Sequence, residues 1–169
     1  MSFFHGVTMT NVDTGARTIS LPTSSIIGLV DTFTEAPAYS AKANDLVLIT
    51  SEREAIAAFG PDSAITKACQ AVYVRAKAVI VACGVPKLDD AALQTSPIVG
   101  GVKADGTRTG LQALLDGKSR FNAQPRLLIA PKHSSILAVG TAMAALADKL
   151  RALPIFDGPN TTDEAVMAY

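Results

Sequence analysis

Four short, nearly continuous apolar runs constrain this chain most: Ser25–Val30 (SIIGLV), Leu46–Ile49 (LVLI), Ala78–Cys83 (AVIVAC) and Arg126–Ala130 (RLLIA). Runs of this length without polar alternation suit strands buried on both faces. Helical spacing fills much of the sequence between them. Ser51-Glu52-Arg53-Glu54 fits a capping box, in which the Ser51 hydroxyl takes an amide and Glu54 reaches back. It opens a helix with Ala55, Ile56 and Phe59 on its apolar face, stopped by Gly60-Pro61. A second helix is predicted from Ser63 to about Arg75, with Ala64, Ile65, Ala68 and Val72 inward. The segment Leu46–Cys83 therefore reads as strand, helix pair, strand. Parallel strands need such a crossover, so a right-handed parallel unit is expected.

The second half continues the alternation. Gly84–Ser96 reads as a loop, with Pro86, Asp89-Asp90 and a following Pro97, and domain boundaries tend to fall in such stretches. Ile98-Val99 reads as a short strand before the glycine-rich segment Gly100–Gly110, where Asp105-Gly106 signals a tight turn. Thr109 is placed to cap a helix from Gly110 to about Asp116, with Leu111, Leu114 and Leu115 inward. Ser134 or Ser135 is placed to cap the longest helix, to about Ala152, with the stripe Ile136, Val139, Met143, Leu146 and Leu150. Leu153–Phe156 is a further strand, Asp157–Asn160 a turn, and Thr161 or Thr162 the start of a final helix at Asp163. The fold class is α/β: small mixed sheets with flanking helices in one or two subdomains, plus an extended N-terminal β-arm. The divisions expected are residues 1–21 for the arm, 22–96 for a first subdomain and 97–169 for a second.

The arm differs in kind from the core strands. Val7–Val12 and Arg17–Leu21 are strand-prone but mostly polar, and Asp13-Thr14-Gly15 turns between them. Such pieces lack the apolar surface for a core of their own. They suit β-augmentation, in which main-chain groups pair with another strand. The candidate pairing residues are Val7, Thr8, Met9, Asn11, Val12, Arg17, Thr18, Ile19 and Leu21.

Composition excludes several classes. The 15 basic and 15 acidic residues balance, and no basic cluster offers the positive face that nucleic acid requires. No run approaches the roughly 18 apolar residues of a membrane span. MSFFHG lacks the charged and apolar regions of a signal peptide. With aromatics at 5% and no Trp, the core must be built from Ala, Val, Ile and Leu. Cys69 and Cys83 sit in apolar surroundings, as reduced buried thiols would.

The search for chemistry yields nothing specific. Gly100–Gly110 precedes a helix, as phosphate loops do, but matches neither GxxxxGK[ST] nor GxGxxG. His133 lies at a strand's C-terminal end, where α/β sheets place ligands, yet has no acidic or thiol partner nearby in sequence. Cys83-Gly84 has no recognisable base, Asp89-Asp90 reads as a solvated pair, and two His with two scattered Cys give no metal spacing. No catalytic, cofactor or metal residues are assigned. An alternative is a small nucleotide-binding or hydrolytic domain using Gly100–Gly110 and His133. A concave site with convergent polar groups is expected of that alternative, and not of an assembly protein.

The order FHGV, GARTISLPTSSIIGLV, LVLITSEREAIAAFG and AVIVACGV, then IVGGVKADGTRTGLQALL, PRLLIAPKHS and ALADKLRALPIFDGPNTTDEAVMAY, resembles tail sheath proteins of contractile-tailed bacteriophages and R-type pyocins. The resemblance covers essentially the whole chain and rests on the order of segments. It implies a structural, non-enzymatic subunit without cofactor, made in the bacterial cytoplasm and polymerising helically around an inner tube in a virion tail or phage-tail-like particle. The sheath contracts on a baseplate trigger and drives the tube through a cell envelope. It further implies that Val7–Leu21 pairs with neighbouring subunits. Family members continue beyond a helix like Thr162–Tyr169 into a tube-facing domain and a C-terminal strand. By that comparison the chain reads as an N-terminal fragment or truncated product, unable to build a contractile sheath alone.

Overall fold

A computed structural model of the chain describes residues 26–167. The arm Val7–Leu21 lies outside the described residues. Five strands form one mixed sheet in the order β2-β3-β1-β4-β5. They are β1 (Ile26–Phe33), β2 (Leu46–Ile49), β3 (Val79–Pro86), β4 (Leu127–Ile129) and β5 (Leu153–Ile155). Six α-helices accompany them: α1 (Glu52–Phe59), α2 (Ala64–Tyr73), α3 (Ala91–Val99), α4 (Gly117–Phe121), α5 (Leu137–Leu150) and α6 (Asp163–Met167). A 3-10 helix, Gly110–Asp116, runs directly into α4. Strands from both sides of residue 96 enter the one sheet, and α3 spans that position.

The apolar runs are strands, as expected, and β1 is the central one. It pairs in parallel with β3 on one side and β4 on the other, and β4 pairs in parallel with β5. The expected parallel pairing of Leu46–Ile49 with Ala78–Cys83 is corrected, because β2 and β3 are antiparallel. The reason is parity. A single crossover helix returns the chain to the starting edge, whereas α1 and α2 reverse it twice and leave β3 running against β2. The parallel partner of β3 is β1.

Side-chain alternation along each strand supplies two cores. Val30, Val81, Cys83, Val85 and Leu128 pack against Ile98, Leu111, Leu114 and the α5 stripe Val139, Met143, Leu146 and Leu150. On the other face Leu29, Phe33, Ile49, Ile80 and Ala82 pack against Ala55, Phe59, Ile65 and Cys69. The latter helices cover the β2-β3-β1 half of their face. Over β4 and β5 the same face is open: Leu127 and Ile129 are half-buried, and Leu153 and Ile155 are exposed.

Local chemistry sets the helix ends. The Ser51 hydroxyl accepts the Glu54 amide, while the Glu54 carboxylate reaches past the cap to the Thr50 N–H at 2.7 Å. The Ser63 hydroxyl accepts the Thr66 amide at 3.2 Å. Three further expectations are corrected. Gly84–Ser96 is not loop throughout, since β3 runs to Pro86 and α3 begins at Ala91. Ile98-Val99 ends α3 and is not a strand; Pro97 is accommodated inside it. The longest helix begins at Leu137, with neither Ser134 nor Ser135 as its cap. The Ser134 hydroxyl is instead engaged with Asp157, donating to its carboxylate or accepting its amide, each at 3.1 Å.

Candidate functional site

The C-terminal ends of β1, β3 and β4 share one edge of the sheet. From β1 the connections diverge, with β3 reached by helices on one face and β4 and β5 by helices on the other. Crevices at such switch points are where open α/β sheets hold ligands. Here the crevice is a cavity of about 420 Å³. Asp31 and Thr32 of β1, Ser63 and Lys67 at the start of α2, Lys87 after β3, and Lys132-His133 after β4 all line it, with Tyr39 on one wall. The expectation that an assembly protein leaves no concave polar site is therefore not met.

Asp31 is the buried acid of this cavity, 1% exposed. Its Oδ1 accepts the Thr32 amide at 2.7 Å and lies 3.5 Å from His133 Nε2. A tight turn brings His133 there: Lys132 takes φ +64°, and the His133 and Ser134 amides both donate to the Ala130 carbonyl. Sequence reading gave His133 no acidic partner because Asp31 lies on a distant strand. The available signal was that both residues end apolar runs, which a shared sheet edge brings together. Lys67, Lys87 and Lys132 are exposed on the rim. None of the three has a carboxylate within ion-pair distance among the described residues.

The glycine-rich segment lies elsewhere. Lys103, Thr107 and Arg108 line a second cavity of about 230 Å³ with Asn44, Asp45 and Asp116. Arg108 is ion-paired with Asp116, and Arg120 with Asp45 at 2.5 Å. A phosphate loop offers free amides, but here they are used internally. The Lys103 amide goes to Thr107 O, Gly106 to Lys103 O, Thr107 to Asp105 Oδ1, Thr109 to Gly101 O, and Gly110 to Asn44 Oδ1. Gly110 serves close backbone approach: a Cβ there would lie 2.4 Å from the Pro97 and Ile98 carbonyl oxygens, at φ +54°. The Thr109 hydroxyl makes no helix-cap bond and is engaged with Gly101. Gly100–Gly110 and His133, which the hydrolytic alternative needs together, line separate cavities.

Both cysteines are free and buried, on opposite faces of the sheet. Burial pushes the Cys69 thiol up to about 12, with the Asp31 charge adding to it. Burial does the same for Cys83, also to about 12, with Asp45 adding. Neither is a thiolate near neutral pH, so neither is an activated nucleophile. Among the described residues no cluster of His, Cys, Asp and Glu is arranged to hold a metal, and no helix is long and apolar enough to cross a membrane.

Comparison with known proteins gives the family. No protein-family model matches the chain. It is 64% identical, over all of its 169 residues, to a prophage major tail sheath protein of Pseudomonas aeruginosa (strain UCBPP-PA14), of which it spans 44%. It is 31% identical over 89% of its length to the tail sheath protein of Escherichia phage P2, spanning 39% of that protein. To the major tail sheath protein of Serratia phage KSP20 it is 29% identical over 97% of its length, spanning 43%. The chain is a homologue of phage tail sheath proteins and corresponds to less than half the length of each of these relatives.

Proposed function

We propose that this chain is a structural part of a contractile phage-type tail sheath subunit, and that it performs no catalysis. The observation that carries the reading is the 64% identity to a prophage tail sheath protein along the whole chain. In the complete subunit, on this reading, the α/β body is a rigid block in a helical polymer around an inner tube, with a baseplate as trigger. Contraction draws on metastable packing between blocks and drives the tube through the target envelope. The site of action is a virion tail or prophage-encoded particle. Val7–Leu21 is the proposed link, adding strands to neighbouring subunits. Main-chain ladders of that kind tolerate large rigid-body motion of the domains they tether.

Two experiments test this. Deleting residues 1–22 from the full-length subunit is expected to leave the body folded, with an unchanged circular dichroism spectrum, and to abolish sheath polymer in electron micrographs. A deletion that unfolds the body would make the arm a core element and refute the linking role. Expressed alone, the chain is expected to give no sheath-like tubes; their appearance would overturn the view that the rest of the relatives' length is needed for assembly.

A further inference from the structure

The β4–β5 half of the sheet has an apolar face that the described helices leave open. Two rows of side chains cross it in register, Ile27-Leu127-Leu153 and Leu29-Ile129-Ile155, all leucine and isoleucine. Exposure climbs outward along them: Leu29 is buried in the α1–α2 core, Leu127 and Ile129 are half-buried, and Leu153 and Ile155 are 61% and 50% exposed. The opposite face of these strands is closed, with Leu128 fully buried in the core that α5 covers. β1, β4 and β5 run parallel, and parallel strands occur almost only with both faces covered. The free edge of β5 offers less. The Leu153 amide points inward to the Arg126 carbonyl and the Ala152 amide goes to Ala147 O. Pro154, next in line and facing outward, has no N–H to give. β5 is therefore a poor template for an added strand, and whatever completes this half of the sheet comes over its face. An uncharged leucine–isoleucine surface is of the kind that permanent contacts bury, whereas contacts that form and break are more polar. The chain spans 44%, 39% and 43% of the three sheath relatives, so most of each relative lies outside the part it matches.

We propose that in the full-length sheath subunit a segment from outside these 169 residues lays the apolar side of a helix across β4 and β5, burying Leu153 and Ile155 within the same subunit. Helices are the ordinary cover for the faces of parallel strands. The proposal rests on the reading of the chain as part of a sheath subunit and adds the surface by which the rest of that subunit is held to the α/β body.

Thiol labelling tests it. Ile155→Cys places a thiol on the open face, in this chain and in the full-length subunit. The native Cys69 and Cys83 are buried and protonated near neutral pH, so neither competes in the folded protein. Maleimide labelling at position 155, followed by peptide mass spectrometry, is expected to be at least about tenfold slower in the full-length subunit than in the chain alone. In urea the two should label equally fast. Leu153→Cys repeats the comparison at a second position, so that one misfolded variant leaves the other to decide. Equal native rates in the two proteins would overturn the proposal by showing the face open in the full-length subunit. Slow labelling of the chain alone would overturn it as well, since the cover would then lie within these residues. Protection that fades as the full-length subunit is diluted would assign the face to a second copy and refute cover within one subunit. The assembly reading is judged separately, by polymer formation of the full-length subunit. A subunit that polymerises and labels fast keeps that reading and loses this one; a subunit that is protected without polymerising does the reverse.

Discussion

Gly84 provides the sharpest test of how the switch-point edge is packed. It lies in β3 opposite Asp31 of β1, beneath the edge-to-face pair of Phe33 and Phe59, whose ring centroids are 5.2 Å apart at 81°. A Cβ on Gly84 would stand 2.6 Å from Phe33 Cδ1 and 2.7 Å from Phe59 Cε1. Carbon atoms rest at about 3.5–4.0 Å, so each ring must withdraw by roughly 1 Å. Both rings are only 1% exposed and are packed in the core, and the space open to them is on the side of the switch-point cavity that they line. Overpacking of this kind costs about 1–3 kcal/mol. For a domain of this size 1 kcal/mol lowers the melting midpoint by roughly 2–4 °C, so Gly84→Ala should melt about 2–12 °C below the parent. Gly101→Ala is the control, because a Cβ there meets nothing within 4 Å. Its midpoint should stay or rise slightly through lower unfolded-state entropy. Adding Phe33→Leu to Gly84→Ala should cost less than the sum of the two single changes, since the smaller side chain relieves the clash. Calorimetry on the parent, the three single variants and the double variant decides. Equal midpoints for Gly84→Ala and Gly101→Ala would refute the idea that the aromatic pair requires glycine beneath it.

Three further outcomes are expected. Stability should be whole below pH 9 and decline as the pH climbs from 9 toward 12, because both thiols stay protonated in the fold to about 12 against an ordinary 9.0. The loss reaches about 4 kcal/mol per thiol at the top of that window. Urea midpoints at pH 8 and 10.5 measure it, and Cys69→Ala with Cys83→Ala should reduce the dependence to the smaller part left by Tyr73, whose hydroxyl burial also pushes up to about 12. Ser63→Ala should cost about 1 kcal/mol in chemical denaturation, since its hydroxyl accepts the Thr66 amide and hydrogen-bonds the Thr66 hydroxyl at 2.8 Å. Leu153→Thr with Ile155→Thr should change the denaturation midpoint by less than about 0.5 kcal/mol, because both side chains are at least half exposed. A large loss would mean that these two side chains pack against the folded body.

What the sequence disclosed follows the range of the interactions involved. Strands and helices announced by continuous apolar runs or by a local cap were legible: Leu46–Ile49, the Ser51 and Ser63 helix starts, and the Val139-Met143-Leu146-Leu150 stripe. Each depends on residues a few positions apart. α3 was missed because Pro97 and the Asp89-Asp90 pair are turn signals in isolation, whereas burial of Ile98 and the Gln94 bonds to Leu88 and Pro86 hold the segment helical. The start of the long helix was misplaced because Ser134 is a good cap by type but is engaged by Asp157. The Asp31–His133 pair needs the β1–β4 register before it can be seen at all.

The same distinction bears on function. Locally, His133 and Gly100–Gly110 each carried a faint suggestion of chemistry. Tertiary structure argues against the loop as a phosphate site, because most of its amides are engaged in holding its own turn and in the bond to Asn44. It gives His133 more than the sequence offered: a buried acid and a cavity lined also by Asp62 and three lysines that make no ion pair among the described residues. A cavity with those groups at a switch point is the ordinary place for a small ligand in this architecture. The chain's homologues are tail sheath proteins, and a cavity on a widely shared architecture does not by itself assign a reaction.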